Sequence, residues 1–177
     1  MTAPNLITFL RILLVPFFFT ALVSYTPARE HERWIAFLIF LAASITDMLD
    51  GFLARVMKSR SELGRFLDPL ADKLLLLSGF LGLLFVQALP YRPPLWITVT
   101  IVFRDLMIVL GLLVIFFIKG TVTIQPNFLG KTTTAFQMAT LLAILLAWPV
   151  SIFLCYATAV LTITSFGVYA ARELRKL

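Results

Sequence analysis

The chain has 177 residues, of which 60% are hydrophobic and 14% are charged. That charged share is about half of the share in ordinary soluble domains, and a soluble fold of this length could not bury so much apolar surface. The net charge of +6 indicates an anionic membrane surface in so apolar a chain, and we expect no nucleic-acid partner. We therefore predict one all-α integral membrane domain over residues 1–177 in a lipid bilayer.

Six apolar segments follow one another along the chain, and each is long enough, or nearly so, to cross a membrane. They cover approximately residues 6–25, 34–57, 68–89, 94–118, 131–148 and 150–170. Polar stretches separate the first five segments, and a tight turn around Pro149 separates the last two. Because proline is tolerated in the first turn of a helix, Pro4 favours a helix start there. We interpret residues 4–11 as a short interfacial helix that leads into the first of six transmembrane helices.

The distribution of Lys and Arg predicts the orientation of these spans. If both termini lie on one side, eleven basic residues fall on that side, and three fall on the other: Arg29, Arg33 and Arg92. Both termini are therefore predicted to be cytosolic, together with the segment between the second and third spans. Trp34, Tyr91 and Trp96 would then lie at the opposite interface, where aromatic residues are enriched.

Five of the nine acidic residues fall between residues 47 and 72, and four of these are aspartates. Asp47 and Asp50 are three residues apart and Asp68 and Asp72 are four apart, so each pair shares one helix face. The short connection between the second and third spans should bring the two helix ends together, so we expect the four carboxylates to converge. Converging carboxylates need partners. These are either cations, with Arg55, Arg65 and Lys73 as candidates, or divalent metal ions, since Mg²⁺ and Mn²⁺ prefer oxygen ligands. A purely structural alternative is that Asp68, followed by Pro69, caps the third helix.

The spacing of these residues resembles the signature of the CDP-alcohol phosphotransferases, also called the CDP-alcohol phosphatidyltransferase family. The matching pattern is Asp47-x-x-Asp50-Gly51-x-x-Ala54-Arg55, eight residues, and Gly64-x-x-x-Asp68-x-x-x-Asp72. The stretches PNLITFLRILLVP, FRDLMIVLG and GKTTTAFQ are also similar to bacterial members. The resemblance implies a homodimeric enzyme in a bacterial inner membrane, with a cytosolic active site, that transfers a substituted phosphate from a CDP-linked donor to an alcohol and releases CMP.

The resemblance also implies roles for individual residues. Two divalent cations, Mg²⁺ or Mn²⁺, would be held by Asp47, Asp50, Asp68 and Asp72, and Asp72 would be the catalytic base. The donor, expected to be CDP-diacylglycerol, would be bound by Gly51, Ala54, Arg55 and Gly64. The metal chemistry agrees with the residues themselves, because phosphoryl-type transfer depends on charge neutralisation and positioning more than on covalent catalysis.

Polar residues of the fourth and fifth spans are the candidates for binding the acceptor: Arg104, Asp105, Lys131 and Thr132. Arg104 and Asp105 lie inside an apolar span, which favours a functional role, although a buried neighbour pair held by other helices would also explain them. Lys131 begins the fifth span, where a helix N-terminus and a cation together favour a phosphate.

Two acceptors fit the family's bacterial members, and the leading one is glycerol 3-phosphate. The departures from that pattern are Leu112 and Thr133, at positions where a second Arg and a second Lys would be expected. These departures favour the alternative acceptor, phosphatidylglycerol, whose use would make the enzyme a CMP-forming cardiolipin synthase. A cation-coupled transporter is a more distant alternative, because charged residues inside a membrane chain can also serve transport.

Overall fold

The computed structural model describes residues 3–57, 62–119 and 128–174, except for the side chains of residues 3–7, 47–57, 62–66, 69, 112, 115, 116, 118, 119 and 168–174. These ranges form six helices and contain no strand, which confirms the all-α prediction. The helices are α1 (Ala3–Ser24), α2 (Glu30–Met57), α3 (Glu62–Phe85), α4 (Leu95–Lys119), α5 (Phe128–Leu145) and α6 (Val150–Leu174).

The first helix runs without interruption from Ala3 to Ser24. The prediction of a separate interfacial helix over residues 4–11 is therefore wrong. No glycine or proline occurs between Asn5 and Val15 to end a helix there, so the polar beginning and the apolar remainder form one element. Pro16 lies inside α1, and its carbonyl accepts a hydrogen bond from Thr20 Oγ1 at 2.8 Å.

The third helix begins at Glu62, six residues before the predicted start of the third span. Asp68 consequently lies in the second turn of α3 and not at its N-cap, so the capping interpretation of Asp68 is wrong. A carboxylate in the second turn projects from the side of the helix, where it can meet a neighbouring helix.

A tight turn joins α5 to α6, as predicted around Pro149. Ala147 has φ 52°, and the N–H of Trp148 donates to the carbonyl of Ala143 at 2.9 Å. A left-handed residue followed by this backbone bond is a common way to end a helix, because it satisfies the last carbonyl groups. Pro149 cannot continue α5, and α6 begins at the next residue.

Packing places α1 against both α2 and α3, while α5 packs on α6 and α4 contacts α3 and α6. Two glycines of α3 allow close approach of its neighbours. A Cβ atom on Gly79 would lie 2.7 Å from Leu141 Cδ1 of α5, and one on Gly82 would lie 2.6 Å from Leu22 Cδ2 of α1. Around them, Phe18, Phe40 and Phe80 are fully buried in one core shared by the helices.

Hydroxyl groups bridge α5 and α6 in an otherwise apolar interface. Thr140 and Thr158 are fully buried and their Oγ1 atoms are 2.8 Å apart. The Thr133 hydroxyl lies 2.6 Å from the carbonyl of Leu129 and 3.3 Å from that of Leu161 on α6. Such hydrogen bonds between small polar residues help helices associate where water is absent.

Within the described residues, two helices are long and apolar enough to cross a membrane: Phe128–Leu145 and Val150–Gly167. A shorter apolar stretch, Thr8–Ser24, belongs to α1. Large apolar side chains are exposed on several helices, including Phe17 of α1, Leu38 of α2, Phe103 of α4 and Phe153 of α6. Exposed apolar surface of this extent marks a face that contacts lipid or protein.

Candidate active site

Two hydrogen bonds join the beginning of α1 to the beginning of α3, and both use carboxylates of the acidic motif. Thr8 Oγ1 donates to Asp68 Oδ1 at 2.6 Å, and Arg11 Nη1 donates to Asp72 Oδ1 at 2.7 Å. Thr8 and Arg11 are three residues apart on α1, and Asp68 and Asp72 are four apart on α3, so each pair occupies one face of its helix. The matching spacings let both contacts form between the same two faces.

The Arg11–Asp72 ion pair lies at the boundary between the interior and the surface. The Arg11 side chain is 1% exposed, whereas that of Asp72 is 25% exposed. The guanidinium thus orients the carboxylate from the buried side, while a quarter of the Asp72 side chain is exposed. Asp68 is also half-buried, so both carboxylates lie where a polar ligand could reach them.

A second polar cluster lies deeper in the bundle and centres on Asp105 of α4, which is fully buried. Asp105 Oδ1 accepts from Lys73 Nζ at 3.1 Å and from Arg104 Nη1 at 2.7 Å. Asp105 Oδ2 accepts from Gln137 Nε2 at 3.0 Å. Both carboxylate oxygens therefore have donors, as a buried charge requires.

This buried cluster connects four helices. Lys73 of α3 also donates to Thr134 Oγ1 at 3.1 Å and to Gln137 Oε1 at 3.3 Å, both on α5. Arg104 Nη2 of α4 donates to Ser165 Oγ of α6 at 3.0 Å. Lys73 was one candidate partner of the acidic motif; its ammonium group bonds Asp105 of α4, and a pairing with Asp47 or Asp50 lies outside the described side chains.

The structure places the four predicted acceptor residues in two different environments. Arg104 and Asp105 are in the buried cluster, in the arrangement expected of a neighbour pair held by other helices. Lys131 is exposed in the first turn of α5. The Thr132 hydroxyl bonds its own helix, at 3.2 Å from the carbonyl of Phe128 and 3.0 Å from that of Leu129. Because Thr134 contacts Lys73, the start of α5 lies against the start of α3, beside Asp72.

Six of the predicted site residues have side chains outside the described residues. Their backbones belong to helices: Asp47, Asp50, Gly51, Ala54 and Arg55 to α2, and Gly64 to α3. The convergence of all four carboxylates therefore stays a prediction. The side chains of Arg65 and Leu112 also lie outside the description.

Asp68 and Asp72, the described half of the motif, offer carboxylate oxygens, which suit a divalent cation. Asp68 uses only Oδ1 in its hydrogen bond with Thr8, and carboxylate oxygens are preferred ligands of Mg²⁺ and Mn²⁺. Among the side chains that the structure describes, no group of three acidic, His or Cys residues is close enough to hold a metal ion. A complete site would need Asp47 and Asp50 as well.

Sequence reasoning missed Thr8 and Arg11 as site residues. Arg11 was counted only as a basic residue on the cytosolic side, although it stands within the first apolar segment. A cation inside such a segment usually faces a partner in the bundle, and the three-residue spacing from Thr8 to Arg11 was a signal for one shared face. Gln137 also bonds inside the bundle, with Lys73 and Asp105 as its partners.

Comparisons with known proteins agree with the motif. A family model described as CDP-alcohol phosphatidyltransferase matches residues 1–164. A probable phosphatidylglycerophosphate synthase of Mycobacterium tuberculosis is 37% identical over 98% of this chain and 82% of its own length. A CDP-diacylglycerol–glycerol-3-phosphate 3-phosphatidyltransferase of Escherichia coli is 32% identical over 94% of this chain and 91% of its own length. A CMP-forming cardiolipin synthase of Streptomyces coelicolor is 35% identical over 76% of this chain and 60% of its own length.

Proposed function

Because the chain belongs to the CDP-alcohol phosphatidyltransferase family, we propose that it transfers the phosphatidyl group of CDP-diacylglycerol to glycerol 3-phosphate and releases CMP. The observation that carries the proposal is the pair of contacts from Thr8 to Asp68 and from Arg11 to Asp72. They fix the second half of the family's acidic motif at one end of the bundle, with its carboxylates accessible. The relatives from M. tuberculosis and E. coli, whose names denote this activity, support the acceptor.

The family uses divalent cations, and in this chain the residues proposed to hold two of them, Mg²⁺ or Mn²⁺, are Asp47, Asp50, Asp68 and Asp72. Bound divalent cations would neutralise the donor diphosphate and polarise the phosphorus under attack. Gly51, Ala54, Arg55 and Gly64 are proposed to bind the CDP part of the donor. Small residues allow a nucleotide to approach the backbone, and a guanidinium can bond two phosphate oxygens at once.

Asp72 is proposed to act as the general base. In the transfer, a hydroxyl oxygen of the acceptor bonds to the phosphorus of the phosphatidyl group, and the bond from that phosphorus to the oxygen of CMP breaks. The hydroxyl proton moves to Asp72, and CMP leaves with the electron pair of the broken bond. The hydrogen bond from Arg11 at 2.7 Å would hold the carboxylate in a fixed orientation for this proton transfer.

Lys131 is the residue proposed to bind the phosphate of glycerol 3-phosphate. It is exposed in the first turn of α5, where the helix N-terminus adds favourable electrostatics for an anion. Thr132 is proposed to line the same site. Arg104 and Asp105 are less suited to direct contact, because each is at least 95% buried and already bonded within the bundle. They are instead proposed to contribute to acceptor binding indirectly: Asp105 bonds Gln137 and so helps to hold α5, which carries Lys131, in place.

Phosphatidylglycerol is the second candidate acceptor, and one observation favours it. Thr133, at the position where a second Lys would be expected for glycerol 3-phosphate, is fully buried and bonded to backbone carbonyls of α5 and α6. The position therefore offers no additional charge to a small dianion, while a lipid with a single phosphate charge needs fewer cations. The similarity to the S. coelicolor cardiolipin synthase also supports this alternative.

We further propose that all six helices cross a bacterial inner membrane, with both termini and the site cytosolic, and that the enzyme is a homodimer. The predicted basic excess on one side supports the orientation. The exposed apolar side chains of α1, α2, α4 and α6 support the contact with lipid. The dimer is supported only by the family resemblance.

The reaction class is tested with purified protein in detergent micelles containing CDP-diacylglycerol. With radiolabelled glycerol 3-phosphate and Mg²⁺ or Mn²⁺, we expect the label to enter a lipid-soluble product with equimolar release of CMP. A chelator should stop both, and added divalent ions should restore them. No release of CMP with glycerol 3-phosphate or any other alcohol would contradict the transferase proposal and favour the transporter alternative.

A further inference from the structure

We propose that the buried Lys73–Asp105 pair is a positioning device, which fixes the rotation of α3 about its axis and thereby the direction of the Asp68 and Asp72 carboxylates. The inference rests on the proposed function, which assigns those two carboxylates to the reaction. In this view Lys73 and Asp105 do not touch the substrate, and they act on the reaction through α3.

The geometry supports this role because α3 is held from two sides within about one and a half turns. On one side, Thr8 and Arg11 of α1 bond Asp68 and Asp72. On the other side, Lys73 bonds Asp105 of α4 at 3.1 Å and two residues of α5. Consecutive residues on a helix point about 100° apart, so Asp72 and Lys73 restrain α3 in two different directions. Contacts from only one side would leave rotation about the axis less restricted.

The charges of the cluster separate this role from a simple role in stability. Within the described residues the cluster contains two cations, Lys73 and Arg104, and one anion, Asp105. Arg104 alone matches the charge of Asp105, through a hydrogen bond of 2.7 Å. An unpaired buried charge usually destabilises a fold strongly. Removing the Lys73 ammonium group would not create one, because Asp105 would keep Arg104 as its partner. Lys73 is thus not needed for charge balance, and its contacts restrain α3.

The burial of the cluster argues against direct substrate binding by these residues. The side chain of Asp105 is 1% exposed and that of Lys73 is 11% exposed. Asp105 has donors on both oxygens, and the Lys73 ammonium group has three acceptors. A substrate would have to displace these bonds to reach either group.

The test compares Lys73→Met, which keeps the length of the side chain, with the milder Thr134→Val, which removes one acceptor of Lys73. Thr140→Val is the control, because it removes a buried hydrogen bond to Thr158 away from α3. Two properties are measured: Mn²⁺ binding without substrates, from the free-ion electron paramagnetic resonance signal, and kcat and KM from CMP release.

For Lys73→Met we expect kcat to fall about 10- to 100-fold, because small displacements of reacting groups lower the rate by such a factor. We also expect Mn²⁺ binding to weaken. The KM for glycerol 3-phosphate should change less than kcat. Thr134→Val should shift both properties in the same direction by a smaller factor, and Thr140→Val should leave both at the wild-type values.

A rise in the KM for glycerol 3-phosphate alone, with Mn²⁺ binding and kcat unchanged, would overturn the inference and make Lys73 an acceptor-binding residue. The inference would also be overturned if both Lys73→Met and Thr134→Val kept the wild-type Mn²⁺ binding and the wild-type kcat. If Lys73→Met does not fold, Thr134→Val decides on the same two measurements. Failure of the wild-type protein to release CMP would instead contradict the proposed function, while Mn²⁺ binding would still test the positioning.

Discussion

Arg11 is the residue that most changes the interpretation of the acidic motif. It is almost completely buried, and its guanidinium bonds a carboxylate that is partly open to the surface. A planar, rigid donor group suits this position better than a flexible ammonium would. Asp72 of the motif therefore bonds a residue of α1 that lies outside the motif in sequence.

The first prediction concerns Arg11→Met, which removes the hydrogen bond to Asp72 and keeps an apolar side chain in the buried space. We expect kcat for CMP release to fall about 10- to 100-fold, because Asp72 loses the group that orients it. Arg29→Met is the matched control: Arg29 is an exposed arginine in the turn before α2, and its loss should leave kcat unchanged. Equal rates for the two variants would show that the ion pair does not matter for the reaction.

The second prediction concerns Asp72→Asn. The amide can still accept the hydrogen bond from Arg11 through its oxygen, but it cannot take a proton from the acceptor hydroxyl. Turnover should fall about 10²- to 10⁴-fold, the usual contribution of a general base, while donor binding is largely retained. Equilibrium binding of CDP-diacylglycerol and single-turnover CMP release measure the two effects separately. Retained turnover would rule out Asp72 as the base.

Single residues also mark the limit of what the sequence could predict. The spacing of the motif placed Asp68 and Asp72 on one face, which the structure confirms. The partner of Lys73 could not be predicted, because adjacent helical residues point about 100° apart and the sequence does not say which neighbour each direction meets. Lys73 bonds Asp105, 32 positions away in sequence, because α3 packs on α4.

At the scale of helices, apolar segment length was the reliable signal. All six predicted segments correspond to helices, and the fifth and sixth are joined by the predicted turn. The starts of α2 and α3 were predicted several residues late, because Glu30 and Glu62 lie in polar stretches. A carboxylate in the first turn stabilises a helix N-terminus, so a charged residue there does not oppose helix formation.

The third prediction concerns the packing of α3 on α1. Gly82→Leu would force a side chain into space occupied by Leu22, with an expected cost of about 1–3 kcal/mol in the free energy of unfolding. Gly111→Leu in α4 is the control, since a Cβ atom there would meet nothing within 4 Å. Both variants gain the same helix propensity, so the difference in melting temperature in detergent reports the packing. Equal melting temperatures would contradict the close approach at Gly82.

At the scale of the whole molecule, the site and the exposed tryptophans lie towards opposite ends of the bundle. The contacts of Thr8 and Arg11 with α3 occur near the start of α1, while Trp34 and Trp96 are exposed near the starts of α2 and α4. Interfacial tryptophans at one end and a polar site at the other agree with a protein that crosses a membrane. The proposed orientation puts the site end in the cytosol.

The fourth prediction tests that orientation in a Cys155→Ser background, where each further variant has one cysteine. In right-side-out membrane vesicles, Arg29→Cys should react with a membrane-impermeant maleimide. Lys131→Cys, at the start of α5, should react only after the membrane is made permeable. The opposite pattern would place the site outside the cytosol, where CDP-linked donors are not made.

The central claim is the transfer of a phosphatidyl group to glycerol 3-phosphate, and one assay tests it most directly. CMP release by the purified enzyme is measured with CDP-diacylglycerol and Mg²⁺ or Mn²⁺, in parallel with glycerol 3-phosphate and with phosphatidylglycerol. We predict release with glycerol 3-phosphate, and little or none with phosphatidylglycerol. Release with phosphatidylglycerol alone would contradict the proposed acceptor and identify Leu112 and Thr133 as the residues that indicate a cardiolipin synthase.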